Sequence, residues 1–344
     1  MSVATPILGL TMGDPAGVGP EIIAKALSRA ETYKTCRPLV IGDARVMRQA
    51  CEYAKVDLAI NVVTDAGEGR YTPGTMDVFD HCRVDFDTFK LGKISQTAGR
   101  AAFDAVKAGI DLAMNKQISG VVTAPIHKEA IALAGCPFPG HTEIFAHYTG
   151  TKDVSMMLAA GNFRVVHVST HVSLREACDR VTRERVLKVI TLGHEVCRKL
   201  GIANPKIGVA GLNPHASDGG LFGDEESNHI RPAVIDALEL GMTVDGPHAA
   251  DTFFAKASSG AYDICVAMYH DQGHIPVKCK GFVFDPASNQ WTSVRGINVS
   301  LGLPIIRTSV DHGTAFDQAG QGTASDESLI DAIEYAAKLA AIPA

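Results

Sequence analysis

The sequence predicts an α/β protein in which parallel sheets are covered by helices. Short apolar runs rich in β-branched residues alternate with stretches of helical periodicity along the 344 residues. This alternation is typical of βαβ units. The hydrophobic content of 46% supports full cores, and the chain is long enough to form two domains.

The predicted elements follow one another without a repeat or a low-complexity linker. The predicted strands span residues 7–12, 38–42, 120–123, 164–170, 206–212, 263–268 and 304–308. The predicted helices span residues 20–30, 99–115, 128–134, 182–200, 230–240 and 327–341. Residues 282–298, which include the only tryptophan, form the longest irregular-looking segment. This segment is expected to be either a lid or a surface excursion.

Composition excludes several classes of function. A net charge of −6 and a pI near 6.1 argue against nucleic-acid binding, because no basic stripe can neutralise phosphates. No apolar run approaches the roughly 18 residues of a membrane span. The N-terminus lacks a basic region ahead of its apolar run, so no signal peptide is expected. Eight cysteines without a CxxC pair indicate reduced, buried thiols and a cytoplasmic protein.

A glycine-rich loop follows the first predicted strand. It runs from Gly13 to Pro20 with the spacing G-x-x-x-G-x-G. The dinucleotide fingerprint is G-x-G-x-x-G, and a proline interrupts the loop here, which disfavours a Rossmann site. Asp43 does lie at the end of the second strand, where such a site would contact a ribose. The alternatives are a turn that places Asp14 beside the active site and a purely structural turn.

Three histidines follow three predicted strands and indicate a metal site. They are His171, His215 and His270. Ligands bind at the carboxyl ends of strands in α/β proteins, and imidazole suits zinc and related divalent ions. Asp271 is placed to orient an imidazole. A single histidine at a strand end is more often structural, so the prediction depends on all three converging.

Polar residues at other predicted strand and helix ends indicate an anion site. His141 and Thr142 lie at a helix N-terminus, which favours phosphate or carboxylate. Arg307 at the end of the last strand could bind such an anion bidentately. Thr123 and Lys128 flank another helix start. For the hydroxyl and imidazole groups at the two helix starts, a simple N-cap is the alternative.

Taken together, these segments resemble the 4-hydroxythreonine-4-phosphate dehydrogenases over nearly the full chain. The matching motifs are TMGDPAGVGPEI, TAPIHKEA, PGHTE, STH, GLNPHASDGGLFGDEE, YHDQGHIPVK and GLPIIRTSVDHGTAFD. The resemblance implies an isocitrate/isopropylmalate dehydrogenase-like fold of two α/β domains with a cleft between them. It also implies a homodimer whose active site is shared between subunits, with no nucleic-acid or membrane partner.

The resemblance assigns roles to individual residues. Metal ligands would be His171, His215 and His270; substrate would contact His141, Thr142, Lys278, Asn298 and Arg307. Lys278 and Asp251 would be the catalytic residues, although an N-cap is the alternative for Asp251. The segment HGTAFDQAGQG resembles an adenosine-binding loop of the wider superfamily. It gives the cofactor residues His312, Gly313, Thr314, Ala315 and Asp317.

The chain departs from the main family in ways that bear on its substrate. VSTHVSLR, HDQGHIPVK and HGTAFD look closer to the branch that acts on D-threonate or D-erythronate 4-phosphate. His127 stands where the family usually has asparagine, and residues 283–294 look like an insertion.

The expected reaction is an oxidative decarboxylation to dihydroxyacetone phosphate and CO2. It would use NAD, or alternatively NADP, and a divalent metal such as Zn, Mg, Mn or Co. One alternative is the dehydrogenation of 4-phosphohydroxy-L-threonine, and another is a non-redox metal-dependent hydrolase or lyase.

The expected domains follow from the same resemblance. Residues 1–130 with 282–344 would form the discontinuous NAD-side domain. Residues 131–281 would form the metal, substrate and dimerisation domain.

Overall fold

A computed structural model of the chain describes residues 5–287 and 289–341. Its strands are β1 (Ile7–Thr11), β2 (Arg37–Gly42), β3 (Ala59–Val63), β4 (Thr75–Asp80), β5 (Gly120–Thr123), β6 (Ser155–Ala160), β7 (Phe163–His167), β8 (Lys206–Ala210), β9 (Thr243–His248), β10 (Ile264–Ala267), β11 (Phe282–Asp285), β12 (Gln290–Val294), β13 (Ile297–Leu301) and β14 (Ile306–Val310). Its α-helices are α1 (Gly19–Ser28), α2 (Ala30–Thr35), α3 (Ala44–Ala54), α4 (Gln96–Met114), α5 (Lys128–Leu133), α6 (His141–Tyr148), α7 (Leu174–Asp179), α8 (Arg183–Lys199), α9 (Arg231–Glu239), α10 (Ala250–Lys256), α11 (His270–Gly281) and α12 (Glu327–Ala341).

The chain divides into two α/β units, which confirms the predicted fold class. The first unit ends at Val154 and resumes at Leu303, and the second comprises the residues between them. These boundaries differ from the predicted 130 and 282. Residues 131–154 belong to the first unit because α5 and α6 both pack against α4. Residues 297–301 belong to the second because β13 pairs antiparallel with β6.

The first unit is built on six parallel strands in the order β3-β4-β2-β1-β5-β14. The central strands are buried apolar runs, as expected for a sheet covered on both faces. The carboxyl ends of β1, β5 and β14 are neighbours. The segments that follow these three strands therefore begin at one edge of the sheet, where ligands bind in such folds.

The second unit has its own six strands in the order β13-β6-β7-β10-β8-β9. β6 runs antiparallel to both β13 and β7, whereas β7, β10, β8 and β9 are parallel. The buried side chains of Phe253, Tyr262, Cys265 and Val277 share one apolar cluster. This cluster holds α10 and α11 against the sheet.

Side-chain caps and one glycine explain where several helices begin and how they pack. Ser95 caps α4 by accepting the Ala98 N–H at 3.2 Å, and Thr182 caps α8 in the same way. Gly99 in α4 lies against α5. A Cβ at this position would come within 1.9 Å of the Ala130 carbonyl oxygen, so the two helices can approach only because residue 99 is glycine.

The prediction that residues 282–298 are irregular is wrong in detail. Most of it is a hairpin of β11 and β12, and its end enters β13. Side chains alternate between the two faces of a strand, so Phe282 and Phe284 lie on one face. Both contact Trp291 across the hairpin. The aromatic residues at alternate positions of β11 stabilise the hairpin, although its register shifts between Val283 and Phe284.

No helix in the described part of the chain is both long and apolar enough to span a bilayer.

Candidate functional site

The three predicted metal-binding histidines follow three neighbouring parallel strands of the second unit. His171 comes after β7, His270 begins α11 directly after β10, and His215 comes after β8. The strand order β7-β10-β8 places the carboxyl ends of these strands side by side. The sequence-based placement of all three at one edge of a sheet is therefore consistent with the topology.

His270 is oriented as a metal ligand would be. Its Nδ1 lies 2.7 Å from Oδ1 of Asp271, which accepts the Nδ1 proton and leaves Nε2 to face a cation. The His171 ring centroid lies 5.8 Å from that of His270. Two of the three predicted ligands therefore lie close together within the chain.

A row of imidazoles continues behind His270. The rings of His270 and His274 are stacked at 3.6 Å and 12°, and His274 Nδ1 donates to the His270 carbonyl oxygen at 2.9 Å. The buried His167 ring lies 4.7 Å from His274. Burial lowers the pKa of His167 to about 4 and that of His274 to about 3. Both rings are therefore neutral near pH 7 and add no charge that would repel a cation.

His215 lies in a backbone turn of unusual conformation. His215, Ala216, Ser217 and Asp218 have φ values of 54°, 50°, 72° and 44°. This left-handed region is disfavoured for residues with a Cβ, so four in succession require strong support from their surroundings. The buried carboxylate of Glu226 supplies part of it, because Oε1 accepts the N–H groups of residues 212 and 213 at 2.7 and 2.8 Å.

Gln272 connects the helix that carries His270 to the strand that precedes His215. Its Oε1 accepts the Met268 N–H at 2.7 Å, and its Nε2 donates to the Gly211 carbonyl oxygen at 2.8 Å. Both bonds are buried, so they hold the ends of β10 and β8 at a fixed separation.

The single chain does not bring all three histidines to one point. The His215 ring lies 6.4 Å from the Phe222 ring. No group of three or more His, Cys, Asp or Glu side chains within residues 5–287 and 289–341 is arranged to bind a metal. The donor types and the Asp271-oriented ring fit a divalent ion, and a ligand shared between subunits stays a prediction.

The predicted anion site lies in the first unit at the start of α6. His141 and Thr142 are the first two residues of this helix, and no side chain caps it. Arg307 in β14 is buried, and its Nη2 donates to Thr123 Oγ1 at 2.8 Å. This bond replaces the predicted N-cap role of Thr123, since the N-cap of the following helix is His127.

Burial controls the charge of this anion site. It lowers the pKa of Arg307 to about 9, against the opposing effect of Glu143. The pKa of His141 is held well below its usual value by burial and by the charge of Arg307. His141 Nε2 is buried and has no hydrogen-bond partner within the described residues. A buried guanidinium beside a neutral imidazole and free helix N–H groups is suited to an anion.

The remaining predicted substrate and catalytic residues belong to the second unit. Lys278 lies in α11, with Nζ 5.1 Å from the centroid of the Phe282 ring. Asn298 lies in β13 opposite Leu158. Asp251 lies in the first turn of α10, whose N-cap is Ala249, so the N-cap alternative for Asp251 is wrong.

The predicted cofactor loop is attached to the glycine-rich loop of the first unit. The Thr314 carbonyl oxygen accepts the Val18 N–H at 2.9 Å. A Cβ on Gly17 would come within 2.6 Å of the same oxygen, so this contact requires glycine. Buried Glu21 accepts the N–H groups of residues 320 and 322. The glycine-rich loop and the first turn of α1 thus hold the predicted cofactor loop in place.

Individual residues of the predicted cofactor loop differ in their environment. His312 donates from Nδ1 to the Gly313 carbonyl oxygen at 3.0 Å, and burial lowers its pKa. Ala315 adopts a φ of 42°. Asp317 is exposed. The His127 ring stacks on Phe316 at 4.9 Å, which places this departure from the family beside the loop.

The two aspartates considered with the glycine-rich loop have opposite properties. Asp14 is fully buried, and burial raises its pKa to about 6 although Oδ1 accepts the Ala16 N–H. Asp43 is also buried, but hydrogen bonds from Arg45 and from the Val84 N–H overcome the effect of burial and lower its pKa. Because both Asp43 oxygens are engaged within the protein, a ribose contact there is disfavoured.

Sequence reasoning missed three residues of the second unit. His167, His274 and Gln272 contact the candidate metal residues or the segments that carry them. The spacing of His270 and His274 is i, i+4, which places both on one face if the segment is helical. Gly273 and Pro276 are poor helix formers, so the sequence did not predict that helix.

Comparison with known proteins completes the description of the site. The chain matches the family model described as pyridoxal phosphate biosynthetic protein PdxA over residues 34–336. A Clostridium botulinum (strain Langeland) protein with the provisional name D-threonate 4-phosphate dehydrogenase is 46% identical over 97% of this chain and 96% of its own. A Bradyrhizobium diazoefficiens protein of the same provisional name is 48% identical over 97% and 96%.

Two solved structures cover nearly the whole chain. A 4-hydroxythreonine-4-phosphate dehydrogenase from Burkholderia phymatum is 44% identical, with a TM-score of 0.83 over 98% of this chain and 99% of its own. The enzyme of the same name from Klebsiella pneumoniae is 39% identical, with a TM-score of 0.85 over 98% and 100%.

Proposed function

The chain belongs to the pyridoxal phosphate biosynthetic protein PdxA family, and from this premise we propose that it oxidises and decarboxylates D-threonate or D-erythronate 4-phosphate. It is a dehydrogenase that acts on the CH–OH group of a phosphorylated four-carbon acid. The products would be dihydroxyacetone phosphate and CO2, with NAD as the hydride acceptor. The family resemblance inferred from the motifs is thereby confirmed.

The observation that carries the proposal is the buried Arg307 at the start of α6. Arg307 is only 3% exposed, and its Nη2 donates to Thr123 Oγ1 at 2.8 Å. A bound anion would further stabilise this buried positive charge. His141 and Thr142 present a neutral ring and helix N–H groups beside it. A phosphate monoester would accept hydrogen bonds from all of these groups.

Phosphate binding aligns the rest of the substrate. With its C4 phosphate held by Arg307, a four-carbon acid has its C3 hydroxyl and its carboxylate at fixed distances from that anchor. NAD, when bound, would accept the hydride from C3 as the C3–H bond breaks, and the hydroxyl proton would be released. The product of this step is a 3-keto acid.

The three histidines would supply the metal chemistry of this reaction. His171, His215 and His270 would hold a divalent ion, which would supply Lewis-acid stabilisation of negative charge on the C3 oxygen. Asp271 fixes the tautomer of His270 for this role. The stacked His274 holds the plane of the same ring.

Lys278 is the proposed proton donor or charge-holding group. Loss of CO2 breaks the C1–C2 bond and leaves its electron pair on the C2–C3–O system. A proton delivered to C2 from Lys278 would complete the product. Asn298 and Asp251 are proposed to contact the substrate and the reacting centre. His312, Gly313, Thr314, Ala315 and Asp317 are proposed to contact NAD.

A second candidate substrate is 4-phosphohydroxy-L-threonine, which carries an amine at C2. The names of the two solved relatives favour it, whereas the two curated relatives support the hydroxy acids. Purified enzyme should be assayed with NAD and each of the three phosphorylated acids, following reduced nicotinamide by its near-ultraviolet absorbance. A larger kcat/KM for the amino acid would reverse the proposed preference.

The phosphate assignment has its own test. Arg307→Lys replaces a planar, bidentate donor by a point charge, so the KM for the phosphorylated substrate should rise by about tenfold or more, with a smaller change in kcat. Arg183→Lys, which alters an exposed ion pair with Asp236, is the matched control and should leave KM unchanged. An unchanged KM in Arg307→Lys would show that the phosphate binds elsewhere.

A further inference from the structure

The hairpin of β11 and β12 lies directly after the helix that carries Lys278. It contains Trp291, the only tryptophan of the chain, and this residue is exposed together with Val283 and Phe284. Large exposed apolar side chains next to a proposed site call for an explanation beyond folding. The contacts of these side chains within the second unit provide such an explanation.

A chain of aromatic contacts leads from the hairpin to the lysine. The Lys278 Nζ lies 5.1 Å from the centroid of the Phe282 ring. The Phe282 and Trp291 rings meet at 5.8 Å and 76°. Phe284, which is paired with Trp291 in the hairpin register, meets the indole at 5.2 Å and 67°.

These geometries are individually favourable. An ammonium within about 6 Å of a ring centroid is attracted to the ring's quadrupole, and edge-to-face aromatic pairs are a preferred arrangement. Trp291 is therefore held from two sides, and it limits the rotation of Phe282. Phe282 in turn limits the positions that the flexible Lys278 side chain can occupy.

We propose that the hairpin is a positioning device for Lys278, in which Phe282 holds the ammonium and Trp291 holds Phe282. The proposal rests on the proposed role of Lys278 in substrate binding and proton transfer. The ring attracts the ammonium through its face, so this contact positions the lysine without itself being a hydrogen bond. Trp291, within the segment 283–294 that departs from the family, then has a defined role in positioning Phe282.

The first test compares two replacements of Phe282. Phe282→Leu keeps an apolar side chain but removes the ring face, and kcat/KM for the phosphorylated acid should fall about two- to fivefold, the strength of an exposed cation–π contact. Phe282→Tyr keeps the face and should stay within about twofold of the parent enzyme. Thermal unfolding of both variants separates this effect from a loss of folding.

The exposed Trp291 provides an independent measurement. Trp291→Leu removes the support of Phe282 at a surface position, and it should lower kcat/KM in the same direction by a smaller factor. In the parent protein the fluorescence emission of Trp291 should change when the phosphorylated acid binds without NAD. In Phe282→Leu, at a saturating concentration of the acid, this change should fall to less than about half.

The outcomes distinguish this inference from the proposed function. If Lys278→Ala lowers activity but Phe282→Leu, Phe282→Tyr and Trp291→Leu all match the parent enzyme, the positioning role is wrong and the proposed function stands. If Lys278→Ala retains full activity, both the role of Lys278 and the inference are wrong. An emission spectrum of the parent protein that ignores the substrate also contradicts the inference.

Discussion

Single residues in this protein show how burial sets charge at a candidate site. Arg307 keeps its charge in the first unit at a considerable cost, whereas the His141 ring beside it is held neutral. In the second unit, His167 and His274 are neutral behind the candidate metal ligand. Burial thus leaves a positive charge at the candidate anion site and neutral imidazoles at the candidate cation site.

His274 should affect metal binding although it is not a predicted ligand. Replacement by Leu removes both the stacked ring and the hydrogen bond to the His270 carbonyl oxygen. Zinc affinity, measured by competition with a chromophoric chelator, should fall about ten- to a hundredfold. His274→Phe retains the aromatic face and should lose less. Equal affinity in the Leu variant and the parent protein would show that the stack does not orient His270.

Asp14 should make the folded state less stable as pH rises. Its folded pKa of about 6 lies above the ordinary value of 3.8, so the folded state binds the proton more tightly. Its favourable contribution is therefore present below pH 4 and is lost as pH rises toward and through 6. Asp14→Asn should raise the free energy of unfolding by on the order of 2 kcal/mol at pH 7.5 and have little effect at pH 4.

Asp43 is the matched control for this pH dependence. Its pKa is lowered despite burial, because Arg45 and backbone N–H groups bind the carboxylate. The sign is therefore reversed: its contribution is present above the ordinary pKa and is lost as pH falls through the lower folded value. Asp43→Asn should destabilise the protein at pH 7.5. Urea unfolding at the two pH values measures both effects, and the same sign for the two variants would contradict the assignment.

At the scale of elements, buried apolar composition made several strands predictable, although the fully buried β6 was not predicted. Strands β1, β2, β5, β8 and β10 were recognised because they are uninterrupted apolar runs in the middle of a parallel sheet. β3 and β9 lie at the outer positions of their sheets and mix polar with apolar residues. Helix α11 was missed because Gly273 and Pro276 are poor helix formers, and packing against the sheet overrides this propensity.

The left-handed backbone conformation at His215 could also not be predicted from the sequence. The motif contains no signal for four consecutive positive φ values at residues other than glycine. The reason lies in Glu226, which is separated from His215 in sequence and accepts the N–H groups that precede the turn. Only the folded chain brings this carboxylate to the turn, and strain of this kind is often found at functional sites.

Glu226→Gln should therefore disturb both stability and the candidate metal site. The new amide would place a donor against Asn213 Nδ2, which now donates to Oε2 at 2.9 Å. The free energy of unfolding should fall by about 1–3 kcal/mol, the cost of an unsatisfied buried group, and zinc affinity should fall with it. Glu225→Gln, which affects one partly exposed bond, is the control. Identical behaviour of the two variants would exclude a special role for Glu226.

At the scale of the whole molecule, the sequence predicted which strand ends carry the candidate residues but not which side chains meet. Parallel strands necessarily align their carboxyl ends, so motifs that follow buried strands could be placed at one edge of each sheet. Whether the three histidines meet at one point depends on side-chain packing and on any second copy of the chain. The ring centroids of His171 and His270 lie 5.8 Å apart, whereas the His215 ring lies 6.4 Å from the Phe222 ring.

A shared site makes a quantitative prediction for mixtures of inactive subunits. His215→Ala and His270→Ala should each abolish metal-dependent turnover, because each removes one of three ligands. If these two histidines reach one ion from opposite subunits, a mixed dimer contains one complete site and one that lacks both residues. Random reassembly makes half of the dimers mixed, so activity should return to about one quarter of the parent value.

The mixing experiment separates two architectures of the metal site. Co-expression of the two variants with different affinity tags allows the mixed dimer to be purified, and its zinc content and turnover can be measured directly. One bound zinc per mixed dimer, with about half of the parent turnover, is expected for a site built across the subunit boundary. A mixed dimer as inactive as either variant would mean that His215 and His270 act from the same chain.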